Sequence, residues 1–384
     1  MKILYFFFVL IIMVPYYSYG AIPKVTAVSD SLFDDGDSII VRGAGFGTHT
    51  LDTQWLGNNI EQGTNNSEIK LPTNWSTETT SSSRQCPVYT TEDKHGGSKS
   101  IKAFFPISSV YTSGFTLNKP GGFNSAYATW WFKPVPLTWA TGSTSSSVGQ
   151  FKMFRVTPGL GGGIYADQPH NWYWSQQLMG TSNPPMFENG NNMLINFCRS
   201  SSIPTYDTSC YAGDSTPASI YRSYGIKTNV WQRIEVWTET STPNTKDGTI
   251  SILIHRSEDG VPVPPVTFAN YIRNTSTRET TDYPWKNIVW ENYFGNGVDK
   301  GNFYIDDVFV QFNSQARVEI GNSSIWSQCT HREIQIPTKW NPRVGDVDSV
   351  KITVNKGSFS SGQAFLFIVD DNGNPSNGLP VNFK

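Results

Sequence analysis

The chain has 384 residues, of which 29 are Lys or Arg and 31 are Asp or Glu, for a formal net charge of −2. That balance gives no general pull toward nucleic acid. Charged residues make up 16% and aromatics 14%; no segment sustains a 3.6-residue apolar period, whereas period-2 segments recur between turn-rich stretches. The pattern predicts an all-β protein of sandwiches, and the length favours two domains.

In chain order, residues 1–20 read as a signal segment. Lys2 supplies a minimal positive region, Ile3–Val14 is apolar, and Ser18-Tyr19-Gly20 offers a small-x-small cleavage site before Ala21. The apolar run is short for a bilayer span, and no later segment is longer. The expectation is a mature chain that is secreted, periplasmic or at the cell surface, with no membrane span. Removing the segment leaves 28 basic against 31 acidic residues, a net of −3.

Val25–Thr48 predicts two short strands joined by the turn Asp34-Asp35-Gly36-Asp37, then the bend Gly43-Ala44-Gly45-Phe46-Gly47. The bend is turn chemistry and not a nucleotide loop, since no helix follows and the spacing is not GxGxxG. Two strands are marginal alone. The far end supplies only strands, at Arg317–Ile320, Arg332–Ile336, Val350–Val354 and Phe365–Val369. The two ends are therefore expected to combine into one small β-domain around an inserted middle; the alternative is a stub and a separate C-terminal sandwich. The stretch GDSIIVRGAGFGT resembles the opening of an IPT/TIG domain, an immunoglobulin-like sandwich. Val318-Glu319-Ile320-Gly321 and Val350-Lys351-Ile352-Thr353-Val354 fit its later strands, but only across the long gap.

Between Asp52 and Gln315, Leu56–Gly63 is expected as an opening edge strand and His95–Ile101 as a further strand. Tyr127–Phe132, Trp231–Trp237, Ile250–His255 and Phe303–Phe312 alternate as half-buried strands do. Polar stretches at Ala140–Gly149 and Asn274–Thr281 interrupt them. The segments W-x-x-I-E-x-W (231–237) and Y-I-D-D-V (304–308) resemble a concanavalin-like jelly-roll. Polysaccharide lyases, glycan-binding modules and laminin-G-like domains share that fold, so it does not choose among them. The domains expected are a signal peptide (1–20), an Ig-like domain in two parts (21–51 and 316–384) and a jelly-roll (52–315).

Four cysteines in an exported chain allow three pairings. Cys198 and Cys210 flank a polar loop and form the natural local pair, a bridge that would stabilise by roughly 3 kcal/mol in the chain-entropy model. Cys86 and Cys329 would then tie the insert to the end domain. A zinc site is not expected, because no CxxC occurs and His49, His95, His170, His255 and His331 are scattered.

Alternation along WQRIEVWT sends Ile234 and Val236 one way and Trp231, Arg233, Glu235 and Trp237 the other. Gln150 and Lys152 share a face of their strand, as do His170, Trp172 and Trp174 of theirs. Set side by side, these strands would make a groove of Lys152, His170, Trp172, Trp174, Arg233, Glu235 and Trp237. Sugars suit such a groove, because their C–H faces pack on aromatic rings and their hydroxyls bond charged groups. The competing expectation is that the tryptophans fill the interior.

The resemblance to lyases of this fold implies a base, an acid and a cation beside a uronate carboxylate. His170, Tyr165 or Tyr173 are then the candidate bases, and Lys152, Arg199 or Arg233 the candidate cations. The signatures R-x-E-x-R, Q-x-H and Y-F-K-x-G are absent, with Gln150-Phe151-Lys152 matching the second only with Lys for His. No E-x-D-x-x-E pattern of a glycosidase occurs. Asp306 and Asp307 are candidates for a structural Ca²⁺, one at most from within the strand, or else a solvated or turn-capping pair. No other cofactor is expected. Asn65, Asn74, Asn274 and Asn322 begin N-x-S/T sequons. The functional expectation is binding of a polysaccharide or surface glycan; the alternatives are a β-eliminating lyase and a structural or adhesive surface protein. The sugar and the oligomeric state stay open.

Overall fold

The computed structural model describes residues 22–47, 49–77, 86–105, 114–135, 150–158, 171–177, 193–198, 226–242, 248–255, 266–275, 284–295, 301–344 and 347–384. The expected signal segment lies outside them. The protein is all-β, a large sandwich joined to a smaller β-unit assembled from both chain ends.

The end unit begins with β1 (Lys24–Val28), β2 (Leu32–Phe33) and β3 (Ser38–Ala44). The turn between β2 and β3 closes because the Asp34 amide donates to Asp37 Oδ2 at 2.8 Å and Gly36 takes φ +78°. The sandwich follows with β4 (Thr53–Trp55), the helix α1 (Gly57–Gln62), β5 (Trp75–Thr77), β6 (Val88–Thr90), β7 (Ser100–Phe105), β8 (Phe115–Phe123) and β9 (Ser125–Pro134). It continues with β10 (Gln150–Thr157), β11 (Asn171–Gln177), β12 (Met193–Cys198), β13 (Gln232–Glu239), β14 (Gly248–His255), β15 (Val266–Thr275), β16 (Trp285–Gly295) and β17 (Gly301–Phe312). The end unit is completed by β18 (Arg317–Gly321), β19 (Arg332–Val344), β20 (Val347–Thr353), β21 (Gly362–Val369) and β22 (Leu379–Phe383).

The chain ends meet strand on strand. β3 pairs antiparallel with β20, setting Val41 opposite Val350 and Ile39 opposite Ile352. β2 pairs parallel with β22. The strand order is β1-β3-β20-β19-β18-β21-β22-β2, and long β19 serves both layers, pairing β18 through its first residues and β20 through the rest. Val41, Val350, Ile352, Leu366 and Ile368 are buried in the core between them. Gly43 is required near the end of β3, because a Cβ there would sit 1.9 Å from the Lys24 carbonyl oxygen and 2.6 Å from the buried Phe46 ring.

The sandwich packs the sheet β12-β11-β10-β16-β8-β5 against β15-β14-β13-β9-β17-β7-β6, with β4 also on β17. Tryptophans fill its centre. The buried Trp290 ring lies 5.5 Å from Trp75 and 5.3 Å from Phe115, with Trp130 at 6.0 Å edge-on. Truncating such a side chain removes transfer energy and leaves a cavity, so Trp290→Ala is expected to cost about 3–5 kcal/mol. Chemical denaturation checks this; a loss under about 1 kcal/mol would show that the centre is not packed around it.

Two local expectations are corrected. Leu56–Gly63 holds α1 and not an edge strand: Leu56 and Ile60 are buried four residues apart, and the Ile60 amide donates to the Leu56 carbonyl at 3.0 Å. The strand after His95 starts only at Ser100. Among the described residues no helix is long and apolar enough to cross a membrane.

Candidate functional site

β13 turns Ile234 and Val236 into the sandwich core and Arg233, Glu235 and Trp237 to the outer face of its sheet. Register adds neighbours to that face. Trp131, Thr129 and Tyr127 of β9 lie opposite Arg233, Glu235 and Trp237, and His255, Leu253 and Ser251 of β14 lie opposite on the other side.

The end unit covers half of this face. Glu319 of β18 accepts from Arg233 Nη2 at 2.5 Å and from Arg317 Nε at 3.1 Å. Glu235 accepts from Tyr127 Oη at 2.6 Å and Arg332 Nη2 at 3.0 Å, with His255 Nε2 at 2.5 Å. Arg233 also donates to the Arg332 carbonyl at 2.9 Å. These residues are all buried, so the outer half of β13 is the joint between the two units.

Three guanidinium groups thus face two carboxylates. Burial pushes the Glu319 carboxyl up, but Arg317, Arg233 and Arg332 outweigh it and bring it down to about 2. Glu235 is held well below the carboxylate range in the same way, burial being overcome chiefly by Arg233 and His255. His255 drops to about 4 through burial and the neighbouring Arg332 charge, so the imidazole is neutral at pH 7.

At one edge the joint opens into a cleft of about 720 Å³. Trp237 comes from the sandwich and Trp326 from the end unit, both half-buried. Glu235, Glu239, Asn313, Arg317 and Asp371 also line it. Trp326 is fixed from two sides: its Nε1 donates to Glu319 Oε2 at 2.6 Å, and the Arg332 guanidinium lies 3.8 Å from its ring centre. An aromatic ring held rigidly beside carboxylates and amides can stack a sugar ring and bond its hydroxyls.

The groove expected from sequence is divided. β10 and β11 pair in one sheet while β13 belongs to the other, so Lys152, Trp172 and Trp174 do not adjoin Arg233, Glu235 and Trp237. Lys152 lies opposite Ser175, Trp174 opposite Phe154, and Trp172 opposite Val156. Phe154 and Val156 belong to the sandwich core. The side chains of Lys152, Trp172, Tyr173, Trp174 and Cys198, and all of Tyr165, His170, Arg199 and Cys210, lie outside the described residues. Arg233 and Glu235 are not on an open surface: the ion network closes over Arg233, and only an edge of Glu235 reaches the cleft. Trp237 lines it as a half-exposed ring.

Asp306 and Asp307 are both buried, which corrects the solvated-pair alternative. A bulge in β17 breaks its register with β9 after Asp306, and Asp307 takes φ +48°. Asp306 Oδ2 accepts from the amides of His95 at 3.0 Å and Gly96 at 3.5 Å. Cys86 and Cys329 are free thiols, so the bridge expected between them is not formed. The Cys329 thiol turns into its own loop, toward the carbonyls of Ser323 at 3.4 Å and Ile325 at 3.6 Å, while Cys86 interacts with Glu68.

Sequence reasoning missed Glu319, Arg332 and Trp326. A signal existed for the first, since Arg317 and Glu319 alternate with Val318 and Ile320 and so place two charges on one face of a buried strand.

No protein-family model and no curated protein matches the chain. Among solved structures, similarity is found to a marine PL-14 alginate lyase from Aplysia kurodai, at 13% identity and TM-score 0.36, over 59% of this chain and 87% of that one. An endo-β-1,4-glucuronan lyase from the fungus Trichoderma reesei gives 9% identity and TM-score 0.31, over 59% and 87%. An alginate lyase from Klebsiella pneumoniae gives 10% and 0.35, over 59% and 85%. Likeness this loose carries neither a site nor an activity across.

Proposed function

We propose that the chain is an exported glycan-binding protein whose site is the cleft between the sandwich and the end unit. The observation that carries this is the pair of half-exposed tryptophans, Trp237 and Trp326, one from each unit, beside a ring of carboxylate and amide groups. Stacking on the indoles supplies affinity, and bonds from hydroxyls to Glu239, Asp371 and Asn313 supply orientation. The charges of the lining favour a neutral glycan. Arg317, the guanidinium that lines the cleft, is already engaged by Glu235 and Glu319, so a polyuronate's carboxylate meets an occupied cation and the exposed charge of Glu239. A β-eliminating reaction finds no support in this cleft, since Arg233 is already bound to Glu319 and His255 to Glu235.

Titration calorimetry against neutral and uronate-containing oligosaccharides tests the proposal. Saturable heat is expected with a neutral sugar, and Trp326→Ala should weaken binding about tenfold or more, which corresponds to about 1.4 kcal/mol. Preference for uronates, or a variant that binds as well as the parent, rules out the cleft. Silence across a broad panel favours the structural or adhesive alternative.

A further inference from the structure

The five histidines are scattered in sequence, but folding brings two of them to one carboxylate at the joint between the units. His95 Nε2 lies 2.6 Å from Glu333 Oε1, and His331 Nε2 lies 2.7 Å from the same oxygen. His95 comes from the loop before β7, His331 from the residue just before β19, and Glu333 from the second position of β19. The three ligand atoms fall within 4.8 Å of one another.

Each group is held by a second contact. The His95 ring stacks on Trp131 with centroids 3.5 Å apart, and His331 stacks on Phe359 at 4.3 Å. Trp131 also donates through Nε1 to Glu333 Oε2 at 2.9 Å. Outer contacts of this kind fix the orientation of metal ligands. We propose that His95, His331 and Glu333 bind a divalent transition-metal ion, zinc by the character of its donors, which locks the end unit to the sandwich.

Two imidazole nitrogens and one carboxylate match zinc, whereas Ca²⁺ and Mg²⁺ select oxygen donors. The ion replaces the protons that the rings direct at Oε1, and each ring then carries its proton on Nδ1. Ligand atoms around tetrahedral zinc are about 3.3 Å apart at bond lengths of about 2.0–2.1 Å, so Oε1, now 2.6 and 2.7 Å from the two ring nitrogens, must recede from both by about 0.6–0.7 Å. A fourth position faces Ser358, whose hydroxyl is 3.3 Å from His331 Nε2 and is exposed.

The test uses tag-free protein stripped with a chelator and titrated with Zn²⁺ against a chromophoric competitor. One equivalent should bind, thermal stability should rise with metal, and Co²⁺ should show the visible bands of a four-coordinate nitrogen–oxygen site. His331→Ala should lose at least 100-fold in affinity, and His49→Ala should bind like the parent. Absence of stoichiometric uptake, or parental affinity in His331→Ala, overturns the proposal. Should that variant not fold, histidine-ring NMR of the parent decides: zinc must move the His95 and His331 signals and leave His49 and His255 in place. Movement confined to other histidines also overturns it.

Discussion

Replacing Glu319 by alanine is expected to destabilise the protein by about 3–5 kcal/mol, because removing one partner leaves buried charge uncompensated. Glu319 is fully buried and sits between Arg233 of the sandwich and Arg317 and Arg332 of its own unit. Without it, three guanidinium groups share the single carboxylate of Glu235, and Trp326 loses the acceptor for its Nε1. Urea denaturation of parent and variant at pH 7 measures the effect. A difference below about 1 kcal/mol would place the network among exposed pairs, which contribute little. The network carries its own acid lability. Glu319 titrates near 2 in the folded chain against 4.5 unfolded, so its stabilising contribution is complete above 4.5 and is lost as pH falls toward 2.

Asp307→Asn is expected to stabilise the protein, by an amount that grows with pH. Burial, and then the charge of Glu333, pushes the Asp307 carboxyl up to about 7 from 3.8. A carboxyl raised in the folded state contributes its stability below the unfolded value and loses it as pH climbs through 7. Asparagine stays neutral and loses nothing, so the variant should match the parent below about pH 4 and exceed it at pH 8 by on the order of 2–4 kcal/mol. The backbone agrees, since asparagine tolerates the positive φ of 48° found here. The Asn355 side chain, 3.4 Å from Asp307 Oδ2, keeps an acceptor. Melting curves at pH 4 and 8 with a chelator present decide; a variant less stable at pH 8 contradicts the account.

Particular residues show what the sequence disclosed. Period-2 apolar patterning made the all-β class legible, and the strand content of both ends made their union legible, as the facing of Val41 and Val350 confirms. The two faces of β13 were also legible, because alternation is a local property of a strand. Which sheet a strand joins is not local. Nothing near Lys152 or Trp172 says that β10 and β11 lie in a different sheet from Arg233, and so the groove assembled from sequence was divided. The cleft depends on a contact between units, with Trp326 delivered by a short 3-10 turn that carries no periodic signal. α1 escaped notice because six residues are too few to display a helical period.

Hydrogen exchange, measured on the protein alone and saturated with the neutral oligosaccharide that binds best, tests the cleft most directly. The account predicts slowed exchange at 235–239, 249–253, 313–317 and 371–373, the segments that line it. Protection confined to β10 and β11, at 150–157 and 171–177, would contradict it and move the site to the opposite sheet.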